Sequence, residues 1–150
     1  MTDVDSVIKN VEQKCKKRGK PLTEKRKLVL SALIHSGKAL SAYELVDYCK
    51  TEFDKQIQAM TVYRTLDFLE EQHLAHKLKV SNKFIACSHM QCSHEHGVPQ
   101  FLICSKCNKI KEQIIEPSVI DGLQSNARKD GFTVTSPQLE ITGVCDDCKE

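Results

Sequence analysis

The chain has 150 residues, 40% of them hydrophobic, and its 22 Lys and Arg against 20 Asp and Glu leave a formal charge of +2. This length suits one domain or two small ones, and no apolar run is long enough to span a bilayer, which excludes a transmembrane-helix role. The small net charge hides an asymmetry: Lys14, Lys16, Lys17, Arg18, Lys20, Lys25, Arg26 and Lys27 crowd the front, while Glu112, Glu116, Asp121, Asp146 and Asp147 make the second half lean acidic.

Taken alone, such a basic run is either a solvated helix surface or the footprint of a polyanion partner. The chain opens without the basic and apolar segments of a secretory signal. A reducing cytoplasm is therefore expected, with the eight cysteines serving as thiols or ligands and not as disulfides.

Val4, Val7, Ile8, Val11 and Cys15 recur at helical spacing and predict a first amphipathic helix ending near Gly19. Thr23 reads as the N-cap of a second helix that buries Leu28, Val29, Leu33 and Ile34 and stops at Gly37, with Arg26 on the opposite, exposed face. Ser41 and Glu44 make a capping box for a third helix, whose buried stripe is Ala42, Leu45, Val46 and Cys49. After a connection over residues 51–60, a fourth helix is expected from Thr61 to about Glu71, with Val62, Leu66 and Leu69 inward and Tyr63, Arg64 and Asp67 outward. Two short helices with a Tyr-Arg pair on the exposed start of the second fit the helix-turn-helix plan, in which that end meets base edges.

The period then changes. Leu74, His76, Leu78 and Val80 alternate, Ser81, Asn82 and Lys83 supply a turn, and residues 84–87 return as a second strand, which together form a hairpin wing. Beyond a hinge, strands are expected at 101–103, 110–115, 132–134 and 139–144, with a helix opened by Pro117 and stopped by Gly131. The expected fold class is α+β: a winged-helix DNA-binding domain over 1–88, a hinge over 89–100 and a small α/β dimerisation domain over 101–150.

Two metal constellations stand out. Cys104 and Cys107, with Cys145 and Cys148, form two C-x-x-C pairs; each turn presents two thiolates, and two turns complete the tetrahedral shell zinc prefers. A folded segment must return the second pair to the first, so this site staples a subdomain that is too small to bury much core alone. The second constellation spans the hinge, where Cys87, His89, Cys92, His94 and His96 crowd together. His76, on the strand paired with that of Cys87, and Glu112, just past the first C-x-x-C, can complete a mixed N/S/O shell that zinc accepts. His89 and Cys92 are left outside this set.

These residues resemble the ferric uptake regulator family and, within it, the zinc uptake regulator branch. The resemblance covers about Lys14 to Cys148. It rests on Leu22, Thr23 and Arg26; on the run from Ser41 to Leu45; on Thr61, Val62, Tyr63, Arg64, Thr65 and Leu66; on His76, Lys77, Asn82 and Cys87; and on Phe101, Leu102, Ile103, Cys104 and Cys107 with Lys111 and Glu112.

The resemblance implies a dimeric, cytoplasmic repressor of metal-uptake genes that binds palindromic double-stranded DNA when regulatory zinc is bound. It implies two zinc ions per subunit: a structural one on Cys104, Cys107, Cys145 and Cys148, and a sensing one on His76, Cys87, one or both of His94 and His96, and Glu112. By the same resemblance Tyr43 and Arg64 touch bases, Thr61 and Tyr63 lie near phosphates, and Arg26 joins the DNA-binding set. Where many relatives have proline before the recognition-helix threonine, this chain has Met60.

An iron-, manganese- or peroxide-responsive member of the family is the alternative, and a zinc-storage module is the alternative of another class. No membrane, small-molecule substrate or enzymatic role is expected, because a four-thiolate site leaves no open coordination position for catalysis.

Overall fold

The computed structural model describes residues 4–79, 81–87, 98–135 and 138–149. The chain divides into two compact units, Met1–Gln91 and Cys92–Glu150.

The first unit is a helical bundle followed by a hairpin: α1 (Val4–Lys17), α2 (Glu24–Ser36), α3 (Ala42–Phe53), α4 (Ala59–Glu71), β1 (Ala75–Leu78) and β2 (Lys83–Ala86). Its helix boundaries follow from local chemistry. The Thr23 side chain accepts the Arg26 N–H at the start of α2, and Gly37 closes that helix in the left-handed region at φ 63°. Ser41 and Glu44 form the expected reciprocal capping box on α3.

Two boundaries differ from expectation. Residues 51–53 continue α3, which ends on Asp54 in the left-handed conformation, and α4 begins at Ala59, two residues before Thr61. Nothing in 59–60 breaks a helix, so the fourth helix extends back until Gln58 takes an extended backbone.

The core of this unit joins all four helices. Val11, Val29, Leu30, Leu33, Leu45, Cys49, Val62, Leu66 and Leu69 are fully buried, and each large side chain of this kind contributes roughly 1.5–3 kcal/mol relative to exposure. The Lys27 ammonium reaches Glu12 at 2.8 Å and ties α2 to α1.

β1 and β2 pair antiparallel with Ala75 opposite Ala86 and His76 opposite Ile85, and Asn82 turns between them at φ 54°. The hairpin is attached to the start of α3. Leu40 and Phe84 exchange both backbone hydrogen bonds at 2.9 and 2.8 Å, and Lys83 pairs with Glu44 at 3.2 Å.

In the second unit β3 (Pro99–Cys104) lies between β4 (Ile110–Ile114), antiparallel to it, and β5 (Leu139–Gly143), parallel to it. The parallel pairing needs a crossover, and α5 (Pro117–Lys129) provides it. Pro99 and Gln100, expected in the hinge, belong to β3. Residues 132–134, expected as a strand, form none: they lead out of α5, and Phe132 is 71% exposed.

Only Phe101, Cys104 and Ile115 are buried among the described residues of this unit, and α5 buries none of its side chains. No helix among the described residues is long and apolar enough to cross a membrane.

Candidate metal centres and nucleic-acid interface

The four-cysteine group is assembled by the sheet of the second unit. Cys104 ends β3, and the turn behind it is closed by the Cys104 N–H donating to Lys109 O and the Asn108 N–H donating to Cys104 O, both at 2.9 Å, with Asn108 left-handed at φ 61°. Because β5 runs parallel to β3 with Cys104 opposite Gly143, the chain leaving β5 brings Cys145 beside Cys104. A single 3-10 turn, Asp146–Cys148, then folds Cys148 back.

The four Sγ atoms lie within 4.8 Å of one another, and Cys107 Sγ is 3.7 Å from Cys145 Sγ. The edge of a zinc-thiolate tetrahedron with bonds of about 2.3 Å is about 3.8 Å, so the donor set fits zinc. All four cysteines are free, and a sulfur separation of 3.7 Å is far too long for a disulfide.

The electrostatics fit as well. The Cys145 N–H donates to Cys104 Sγ at 3.4 Å, and with the N–H groups of Cys107 and Lys106 it pulls the Cys104 thiol down to about 6. Cys148 is pushed up to about 12 by its hydrogen bonds to Cys145 and Cys107. Four thiols this close resist becoming four thiolates, and a divalent cation supplies the charge that lets them all ionise. Lys109, paired with Asp147 at 3.5 Å, and Lys106, donating to Cys148 O at 3.3 Å, add positive charge beside a centre that is net negative when filled.

On the hairpin of the first unit, the register makes His76 and Cys87 diagonal neighbours on one face, with the Cys87 N–H donating to Leu74 O at 2.9 Å. Their donor atoms lie within 4.8 Å of each other, and Cys87 is buried. Imidazole with thiolate is half of a mixed zinc shell. Glu112 sits on β4 opposite Phe101, half-buried, with one carboxylate oxygen out of solvent. His89, Cys92, His94 and His96 lie outside the described residues.

Large apolar side chains of the first unit that remain exposed among the described residues are Tyr43, Met60 and Tyr63, at 67, 62 and 40%. Tyr43 and Met60 sit on the first turns of α3 and α4, and Tyr63 stands one turn beyond Met60. The Tyr43 and Tyr63 rings meet edge to face with centroids 6.4 Å apart, and Arg64 is exposed beside them while Thr61 is half-buried.

Arg26 departs from expectation. Its guanidinium does not project from the exposed face of α2. It lies over the Phe68 ring, 3.7 Å from the centroid, and donates to Pro21 O at 2.8 Å. A planar cation gains more from an aromatic face and a carbonyl than from water at a half-buried position. Phe68, a residue the sequence reading passed over, is thereby part of what holds α4. Its signal was an aromatic on the inward face of α4 between Leu66 and Leu69, but nothing local links it to Arg26.

Comparison with known proteins agrees with this geometry. Residues 17–142 match the ferric uptake regulator family. The chain is 34% identical over 149 residues to the zinc uptake regulation protein of Escherichia coli strain K12, covering 99% of this chain and 85% of that one. It is similar to the structure of a zinc uptake regulator complexed with zinc and DNA, at 32% identity and a TM-score of 0.85, over 99% of this chain and 96% of the other. It is similar also to holo XcZur, at 37% identity and a TM-score of 0.79, over 95% and 96%. With the family match spanning most of its length, and the winged helix and four-cysteine sheet both in place, the chain belongs to the ferric uptake regulator family.

Proposed function

We propose that this chain is a zinc-responsive transcriptional repressor of metal-uptake genes, which acts in the cytoplasm as a homodimer on palindromic operators when its regulatory site holds zinc. The observation that carries this reading is mechanical. The hairpin bearing the His76–Cys87 donor pair is hydrogen-bonded through Phe84 to Leu40, beside the N-cap of the helix that presents Tyr43. Whatever fixes the hairpin thus bears on the base-reading end of α3 and α4.

In this reading Cys104, Cys107, Cys145 and Cys148 hold structural zinc, and His76 and Cys87 join Glu112 and one or both of His94 and His96 around a second, regulatory ion. Bound zinc supplies a fixed, multidentate junction between ligands drawn from both halves of the sequence. Thiolate in the sensing set favours zinc over iron or manganese, which suit N/O ligands.

Residues 1–88 then serve as the reader, 89–100 as the hinge and 101–150 as the dimerisation part. The exposed Val119 and Leu123 on α5 and Ile141 on β5 support a second copy as the cover for that part. The paired readers would enter successive major grooves about 34 Å apart.

Each reader has a division of labour. Arg64 makes a bidentate contact to guanine, worth about 1–3 kcal/mol of discrimination. Tyr43 packs on base edges, and Thr61 and Tyr63 meet phosphates. Exposed Lys16, Lys17, Lys20 and Lys25 add sequence-independent, salt-sensitive affinity. Arg26 contributes through α4, which it braces at Phe68.

His76→Ala or Cys87→Ser tests the reading. Each variant should stay folded and keep the structural zinc, yet lose zinc-dependent retardation of a promoter fragment in a mobility-shift titration. Retardation that still follows zinc in both variants would move sensing elsewhere.

A further inference from the structure

Met60 stands on the first turn of α4 with 62% of its surface exposed. One exposed apolar side chain is ordinary, but Met60 lies one helical turn from exposed Tyr63, which abuts exposed Tyr43, and a contiguous exposed group of this kind marks an interaction surface. Its neighbours identify what it meets. On an α-helix, residues three and four positions on share its face, and these are Tyr63 and Arg64, both exposed. Tyr63 in turn abuts Tyr43 edge to face. Met60 is therefore the apolar end of a short row that closes on a guanidinium, carried by the first two turns of α4 and meeting the first turn of α3 through Tyr43.

Among base edges in a major groove, one group is apolar: the 5-methyl of thymine. Methionine is unbranched and polarizable, so it can conform to a methyl whose position varies with local duplex shape. We infer that Met60 is a specificity-determining residue that packs its thioether against a thymine methyl at one position of each half-site, next to the base pair read by Arg64. This rests on the DNA-binding reading given above. It adds a second readout channel: Arg64 selects by hydrogen bonds, Met60 by apolar contact.

The experiment uses the zinc-loaded full chain and a library of random duplexes. Selection is run with the wild type, Met60→Ala and Met60→Leu. The wild type should enrich a palindrome with a required thymine in each half, Met60→Ala should lose that requirement alone, and Met60→Leu should recover it. On the best wild-type duplex, replacing that thymine with deoxyuridine removes only the methyl. It should weaken wild-type binding about three- to fivefold and leave Met60→Ala unaffected.

If Met60→Ala enriches the same thymine, or deoxyuridine weakens both proteins equally, the inference is overturned while the repressor reading stands. If the wild type enriches no zinc-dependent sequence at all, both fall. A change in oligomeric state on Met60→Ala with DNA preference unaltered would assign the row to protein contact and overturn the inference too.

Discussion

The two units of this chain reach stability by different routes. The N-terminal unit closes four helices around Val11, Val29, Leu30, Leu33, Leu45, Val62, Leu66 and Leu69, all out of water. The C-terminal unit buries only Phe101, Cys104 and Ile115 among its described residues, and its helix α5 buries no side chain, with Val119 and Leu123 exposed. A unit of that size with so thin a core does not offset its own conformational entropy. The four sulfur atoms brought together at the ends of β3 and β5 form a donor set that, filled by the structural zinc proposed above, would supply what the core lacks. The difference teaches that the first unit is held by volume filling, whereas the second, in the reading proposed above, depends on ligation, so each should answer to a different perturbation.

The sharpest way to break this contrast is Cys104→Ser. Structural zinc in small domains is worth on the order of 10 kcal/mol of folding free energy. The substitution should therefore abolish cooperative melting of the C-terminal unit and lower zinc content by about one ion per chain, while helical circular dichroism from the N-terminal unit persists. A strong chelator should reproduce the effect. An unchanged melt would mean that apolar packing carries that unit after all.

Leu66→Ala asks the converse question. It leaves a cavity at the centre of α4's buried face and should cost about 2–5 kcal/mol in urea titration of the N-terminal unit, with structural zinc retained in full. Loss of that zinc would show that the two routes are not separate.

The smallest effect expected is in Glu44. The Ser41 backbone N–H, and then Lys83, hold its carboxyl below the usual carboxylate range. A lowered folded pKa stabilises at neutral pH and is lost as pH falls from about 5 through the lowered value. Glu44→Gln should flatten that limb of the stability-versus-pH curve for the N-terminal unit and leave the alkaline limb untouched. An identical acid limb in the variant would remove Glu44 from the account.

Much of the fold was legible because its signals are local. Thr23, Gly37, Ser41 and Glu44 end or begin helices through bonds that span three or four residues, and the structure has those bonds where the motifs stand. The strand expected at 132–134 failed for the opposite reason. Its β-branched residues fit a strand, but no edge of the three-stranded sheet takes them, and strand propensity without a partner decides nothing. The expected start at Thr61 falls two residues late because Ala59 and Met60 carry no stop signal and the helix continues back through them to Gln58.

Arg26 shows the same limit at a side chain: its charge argued for the surface, whereas helical phase sets it on the face of Val29, Leu30 and Leu33, and Phe68 arriving from α4 gives its guanidinium an aromatic partner there. The sequence by itself determined the kinds of atom available: four thiolates in two short turns, an imidazole and a thiol on paired strands, and a Tyr-Arg pair at a helix start. Tertiary structure decided which of them meet. The parallel pairing of β3 with β5 carries Cys145 across the chain to Cys104, and the antiparallel register turns His76 and Cys87 to one face. Spacing along a chain constrains neighbours within a turn, whereas distances between remote donors depend on sheet register and helix packing, which the whole core sets at once.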